Sequence, residues 1–239
     1  MTRSLRAAAP GSSAASAPAR VYHNQGNPGL LALLGPGARH VLDVGCGAGD
    51  NAALLRARGP GLSVSGVTFS PAEAERAEPF LDRCWVFDIE GELPAELSTE
   101  RFDVLLFSHV LEHLRDPSAV LARFVELLEP GGEVLIAVPN VLSWRQRLAF
   151  LAGRFEYAES GVLDATHLRF FTFLTAARYL LAGIGSLELT GEHVTGSVPL
   201  WWLRRHLLPT RLSAGIDALG CRVLPNLFGA EVLLVARKR

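Results

Sequence analysis

Three glycines at alternate positions, Gly45, Gly47 and Gly49, follow the apolar run "VLDV" and precede the helix-forming "DNAALL". Glycine lacks a Cβ and tolerates left-handed backbone, so such a loop lets main chain come close to a ligand. Between a buried strand and a helix it can cradle a nucleotide-like molecule. A dinucleotide fingerprint would end on a glycine at position 50, where Asp50 stands. The spacing therefore argues against a nicotinamide cofactor. Asp43, at the end of the strand, can hold the loop or reach a cationic group through water.

Two further groups have spacing that chemistry can use. "HVLEH", from His109 to His113, fits the H-x-x-E-H pattern of a zinc peptidase family. That chemistry needs both histidines on one helix face. Here the first histidine follows the apolar run "FDVLLFS" directly, so no metal site is expected, and His113 reads as a packing residue. Asp164 and His167 lie three apart and would meet on one turn. A carboxylate beside an imidazole raises its basicity and fixes its tautomer, as a general base for a hydroxyl requires. The other reading makes His167 a pin that holds its segment in place.

The elements that must position these residues alternate. "HVLDVG", "LSVSGVTFS", "CWVFDI", "FDVLLFS" and "EVLIAVP" read as strands. Between them, "DNAALLRARG", "PAEAERAEPFL" and "DPSAVLARFVELL" carry helical spacing, with Pro130-Gly131-Gly132 stopping the last. This βαβ rhythm predicts a doubly wound, mostly parallel sheet with helices on both faces and a ligand at the carboxyl ends of its strands. After Pro139 the rhythm breaks. Residues 140–172 are irregular and rich in arginine and aromatics, which suits a lid. "TFLTAARYLLAGIG", "SLELTGEHV" and "AEVLLVARK" then resume helix, strand and strand, with a second insertion at about 197–222.

The totals bound the function. At 239 residues the chain is long enough for one large domain, expected over 21–239. Residues 1–20 are Ala, Ser, Pro and Gly with little to bury, and read as a disordered tail. Residues 21–35, with Tyr22 and His23, read as a short helix ahead of the first strand. Lys plus Arg number 23 against 24 Asp plus Glu, so nothing points to nucleic acid. Cys46, Cys84 and Cys221 fit neither a disulfide framework nor zinc spacing, which suggests a reduced, cytoplasmic setting. No apolar run reaches membrane-spanning length, and no apolar signal core opens the chain. "PLWWLRRHLLP" has two readings: peripheral contact with a membrane or greasy acceptor through 199–208, or, preferred, a helix capping the site with its tryptophans buried.

Three segments in order, "VLDVGCGAG", "FDVLLFSHVLEHLRDP" and "LLEPGGEVLIAVPN", resemble the motifs of class I S-adenosylmethionine-dependent methyltransferases of the type 11/23 kind. The resemblance covers about residues 22–238. It implies a seven-stranded Rossmann-like sheet whose last strand is antiparallel, and S-adenosylmethionine as cofactor. It implies that Asp43, Gly45, Cys46, Gly47 and Gly49 surround the methionine part. An acid at the end of strand two usually takes the ribose hydroxyls; Thr68 stands there, and Glu73 on the next helix is the substitute. Asp88 would accept the adenine amino group, with Ile89 against the ring. Ser108 and His109 leave strand four where the methyl group lies, and His109 and His167 are the catalytic candidates. The lid resembles that of a bacterial subgroup serving glycan and natural-product pathways. Its Arg145, Arg147, Arg154 and Arg169, with Phe155, Tyr157, Phe170 and Phe171, are expected to select the acceptor. The acceptor implied is a small molecule or glycan, methylated at oxygen. The alternative is a cofactor-binding subunit of the same fold that supports a partner enzyme.

Overall fold

The computed structural model describes residues 25–239 except Pro60; the expected tail and the residues Tyr22 and His23 lie outside the described ones. Helix α1 (Pro28–Leu31) leads into β1 (His40–Val44), α2 (Asp50–Arg56), β2 (Ser63–Thr68) and α3 (Pro71–Ala77). Then come β3 (Arg83–Val86), α4 (Ala95–Ser98), β4 (Phe102–Ser108), α5 (Pro117–Val125) and β5 (Leu128–Pro139). The lid carries α6 (Trp144–Leu151), and α7 (Ala176–Leu180) and β6 (Leu187–Gly196) follow. The second insertion is helical, α8 (Trp201–Leu207), α9 (Thr210–Val223) and α10 (Pro225–Phe228), before β7 (Gly229–Lys238) closes the chain.

The strands form one seven-stranded sheet in the order β3-β2-β1-β4-β5-β7-β6. Strands β1 to β5 pair in parallel, and β7 runs antiparallel to both β5 and β6. This is the doubly wound fold expected, last strand included. The order reverses beside β1, so a crevice opens at the carboxyl ends of β1 and β4.

Strand β4 shows why the sheet needs helices on both faces. Its Leu105 and Phe107 join one apolar cluster with Leu121 and Phe124 of α5, the two phenyl rings meeting edge to face at 5.8 Å. Its Val104 and Leu106 point the other way, into a cluster with Leu30, Leu31, Ala52 and Leu55 of α1 and α2. A strand buried on both faces has no polar side to show over its middle, hence the apolar run Val104–Phe107.

Two features differ from the sequence reading. Strand β5 begins at Leu128, before Pro130-Gly131-Gly132, because Leu128 already pairs with Phe102. The glycines are taken up in a register shift instead of ending the pairing. The expected burial of Trp201 and Trp202 is also corrected: they are 41% and 55% exposed. Helix α8 is anchored by Arg204, which bonds Asp217 at 2.6 Å and the Val198 carbonyl, and this turns the tryptophans outward. Among the described residues no helix is long and apolar enough to cross a membrane. All three cysteines are free.

Candidate active site

A cavity of about 980 Å³ opens at the carboxyl ends of β1, β2 and β4, walled on its far side by the lid. The glycine loop enters it through Gly45 and Gly47. Gly45 has φ 77°, and a Cβ there would stand 2.4 Å from Val110. The glycine is thus required by the approach of the segment after β4, as well as by any ligand. Gly49 lies outside the lining; it caps α2 with φ 86°, where a Cβ would meet Ala77 at 3.0 Å. Cys46 also lies outside the lining and is buried, its sulfur filling the space a Cβ on Gly66 would take.

Asp43 is wholly buried beneath the loop, and among the described residues neither carboxylate oxygen has a hydrogen-bond partner at normal distance, Asn51 being the polar side chain that acts on it. Burial pushes its pKa up to about 7; the Asn51 side chain opposes the shift and Asp50 adds to it. An orphaned acid at this place suits a group that carries positive charge.

Thr68 and Glu73 are brought together. The Thr68 hydroxyl donates to the Glu73 carboxylate at 2.6 Å, and both line the cavity while almost fully buried. Ser70 caps α3 by accepting from the Glu73 amide, which fixes the side chain at the helix start. Asp88 and Ile89 follow β3 on the same wall. One Asp88 oxygen accepts from the Glu90 amide at 2.9 Å. Ile89 packs against the core, offering an apolar surface beside an acceptor. A carboxylate for hydroxyls, an apolar shelf beside an acceptor for a ring and a buried acid beneath the glycine loop together fit S-adenosylmethionine.

Ser108 and His109 leave β4 at the centre of the cavity. His109 adopts φ 57°, rare for a residue with a Cβ. The turn aims its ring between two acids: Nδ1 lies 3.2 Å from Glu112 and Nε2 2.7 Å from Glu231. Burial disfavours the charged ring, but the bonds to Glu112 and Glu231 outweigh it and raise the pKa to about 10. Both ring nitrogens thus face carboxylates, which favours the protonated ring. Burial raises the Glu231 pKa, but bonds from His109, Thr195 and Asn27 outweigh it and hold it low. Thr195 donates to Glu231 at 2.6 Å, and the Asn27 amide, whose oxygen caps α1, donates to its other oxygen.

His167 and Asp164 reach the cavity from the lid. They do not form the expected carboxylate–imidazole pair. Asp164 instead accepts from the Thr166 amide at 2.8 Å and hydroxyl at 2.7 Å. His167 turns its Nδ1 to the Val162 carbonyl at 3.0 Å, so the proton sits there and Nε2 keeps its lone pair. Its ring meets that of His113 edge to face at 4.7 Å. His113 is consequently part of the cavity wall and no mere packing residue. The H-x-x-E-H segment is a short turn, Leu111–His113, and its two histidines face different partners.

The lid arginines and aromatics lie elsewhere than expected. Arg147 bonds the Leu142 and Asn226 carbonyls, and Arg169 those of Leu168 and Arg115. Arg145 stacks over Trp144, and Phe171 is buried in the core. Phe155 and Tyr157 are exposed, and beside His167 the lid wall is made mostly of small and acidic residues such as Glu159, Gly161 and Asp164. Guanidinium forks are good carbonyl clamps, and the lid uses them to fix its own backbone.

Glu231, Thr195 and Asn27 were missed from the sequence. Glu231 had one local signal, an acid directly before the buried run "VLLVA". Asn27 had another, a cap residue before Pro28.

Comparison with known proteins gives the family and the fold. Residues 20–181 match the family described as methyltransferase domain, type 23. A ubiquinone biosynthesis O-methyltransferase of Xanthomonas campestris is 29% identical over 195 residues, 80% of this chain and 77% of its own. A trans-aconitate 2-methyltransferase of Methylobacterium radiotolerans is 36% identical over 106 residues, 44% of this chain and 40% of its own. The crystal structure of an S-adenosylmethionine-dependent methyltransferase from Mesorhizobium loti shares the fold at TM-score 0.56 and 18% identity, over 88% of this chain and 96% of that one.

Proposed function

The chain belongs to the methyltransferase domain family, and from that premise we propose that it moves a methyl group from S-adenosylmethionine to an oxygen of a small molecule or glycan. One observation carries the reading: a single cavity holds nucleoside-type acceptors on one wall and a lid with a lone-pair nitrogen on the other. S-adenosylmethionine, when bound, supplies an electrophilic methyl group. Glu73, oriented by Thr68, would hold the ribose hydroxyls; Asp88 and Ile89 would hold the adenine; Gly45 and Gly47, over Asp43, would hold the methionine part.

The rest of the task is alignment and exclusion of water, which can supply most of the rate. His109 fixes the floor of the cavity by joining Glu112 of one segment to Glu231 of β7. A hydroxyl of high pKa benefits from a nearby lone pair, and Nε2 of His167 offers one. The oxygen assignment also draws support from the O-methyltransferase relative.

The test is incubation with methyl-labelled cofactor and a panel of hydroxylated, carboxylated and amino small molecules, read by mass spectrometry. A labelled methyl ether or ester is expected. Tight cofactor binding with no product from the panel would favour the binding-subunit reading, and a labelled amine would overturn the oxygen assignment.

A further inference from the structure

We propose that Glu112, His113 and His167 form a binding site for a divalent first-row transition-metal ion, such as zinc, at the junction of the lid and the segment after β4. Their ligand atoms lie within 4.8 Å of one another, the one such His/Cys/Asp/Glu group among the described residues. All three residues line the main cavity.

The donor atoms are prepared for a cation. Glu112 is 1% exposed and points one oxygen at His109, while its other oxygen, Oε2, is buried without a partner among the described residues. An unpaired buried carboxylate oxygen is costly, and a cation offsets that cost. His167 commits Nδ1 to the Val162 carbonyl, leaving Nε2 as an electron-pair donor. His113 does the same by a longer route. Thr166 donates its hydroxyl proton to Asp164 at 2.7 Å, so its oxygen accepts from His113 Nδ1 at 3.0 Å. The His113 proton is thereby held on Nδ1 and Nε2 is left bare. Metal-binding histidines are characteristically anchored in this way, the far nitrogen donating to a carbonyl or oxygen acceptor. A neutral ring is the form that binds metal.

Two nitrogens and one carboxylate favour first-row transition ions over magnesium or calcium, which prefer oxygen alone. Three protein ligands leave coordination positions towards the cavity for an oxygen of the acceptor or of water. The lid is already fastened at this point, since the Glu112 carbonyl accepts from Leu168 and Arg169. Ligand bonds of about 2.1 Å around a tetrahedral ion put ligand atoms roughly 3.4 Å apart. Metal binding therefore draws His167 inward and tightens the lid. A metal here would lower the proton affinity of a bound hydroxyl and relieve the chain of a general base.

The site is tested on the full chain without S-adenosylmethionine, so failure of methyl transfer does not bear on it. After chelator treatment, Zn²⁺ is titrated by calorimetry, and Co²⁺ is followed by visible absorption. One equivalent should bind, with a Co²⁺ spectrum showing nitrogen ligation. His167→Ala should weaken Zn²⁺ binding at least tenfold, and Thr166→Val, which removes the His113 anchor, by about 10- to 100-fold. Circular dichroism and melting of each variant in chelator show that the fold persists. Limited proteolysis gives a second readout: Zn²⁺ should protect residues 153–170 in the parent but not in His167→Ala. Absence of saturable Zn²⁺ binding, Mg²⁺ bound more tightly than Zn²⁺, or unchanged affinity in a folded His167→Ala would each overturn the proposal.

Discussion

The Thr68 hydroxyl donates a 2.6 Å hydrogen bond to the Glu73 carboxylate, so the end of β2 and the start of α3 act as one unit. Thr68 orients the acid, and the acid is the group with charge to offer. Glu73→Ala should weaken S-adenosylmethionine binding by about 1 to 3 kcal/mol, the range for hydrogen bonds to charged groups. Thr68→Val should cost less, about 0.5 to 1.5 kcal/mol, because it removes one neutral donor. Calorimetry on both variants decides the order. Equal losses would make the hydroxyl itself the ribose contact.

His109 joins Glu112 to Glu231 across the cavity floor. His109→Ala leaves two acids without their shared donor and should destabilise the fold by about 1 to 3 kcal/mol. Adding Glu231→Gln removes one of the stranded charges, so the double variant should recover part of that loss. A double-mutant cycle by urea unfolding measures the coupling. Strict additivity would mean that the ring and Glu231 do not interact in solution.

These two relationships differ in how far the sequence revealed them. Glu73 was legible because α3 opens with Ser70 and Pro71, which fixes where residue 73 sits relative to the end of β2. The strands and the glycine loop were legible for the same reason: each depends on neighbours a few residues away. The pairing of His109 with Glu231 spans 122 positions and depends on β7 returning between β5 and β6. No local pattern carries it. The lid misled for another reason. Arginine type shows what a side chain can hold, but Arg147 and Arg169 hold backbone carbonyls of their own fold. His167 and Asp164 have helical spacing without a helix, so their carboxylate–imidazole pairing does not form.

Gly45 offers a test of packing against ligand cradling. A Cβ there would lie 2.4 Å from Val110, and φ is 77°. Gly45→Ala should therefore destabilise the protein without any cofactor present, by about 1 to 3 kcal/mol, as overpacking does. Combining it with Val110→Ala reopens the space, so the pair should be more stable than the sum of the two losses. The strain of left-handed backbone, on the order of 1 kcal/mol, should remain. Thermal melting of the four proteins is the measurement. A Gly45→Ala variant of parental stability that loses only cofactor affinity would return the glycine to a ligand-cradling role.

Asp43 should give the protein a pH-dependent stability of defined sign. Its pKa is about 7 in the fold against 3.8 for an ordinary aspartate. Below the lower value both folded and unfolded chains hold the proton, and the residue adds no penalty. Between the two, the folded chain holds a proton that the unfolded chain has released. The folded state therefore loses about 1.36 kcal/mol for each pH unit gained. Above pH 7 the loss is complete, on the order of 4 kcal/mol. Asp43→Asn removes the titration and keeps the shape. Other groups titrate alike in both proteins, so the difference isolates Asp43. The variant should gain stability relative to the parent as pH rises from 4 to 7, and the gain should level off above 7. Urea unfolding at pH steps through this range measures it. Parallel curves would mean that the buried carboxylate stays ionised throughout, held by water or by a bound cation.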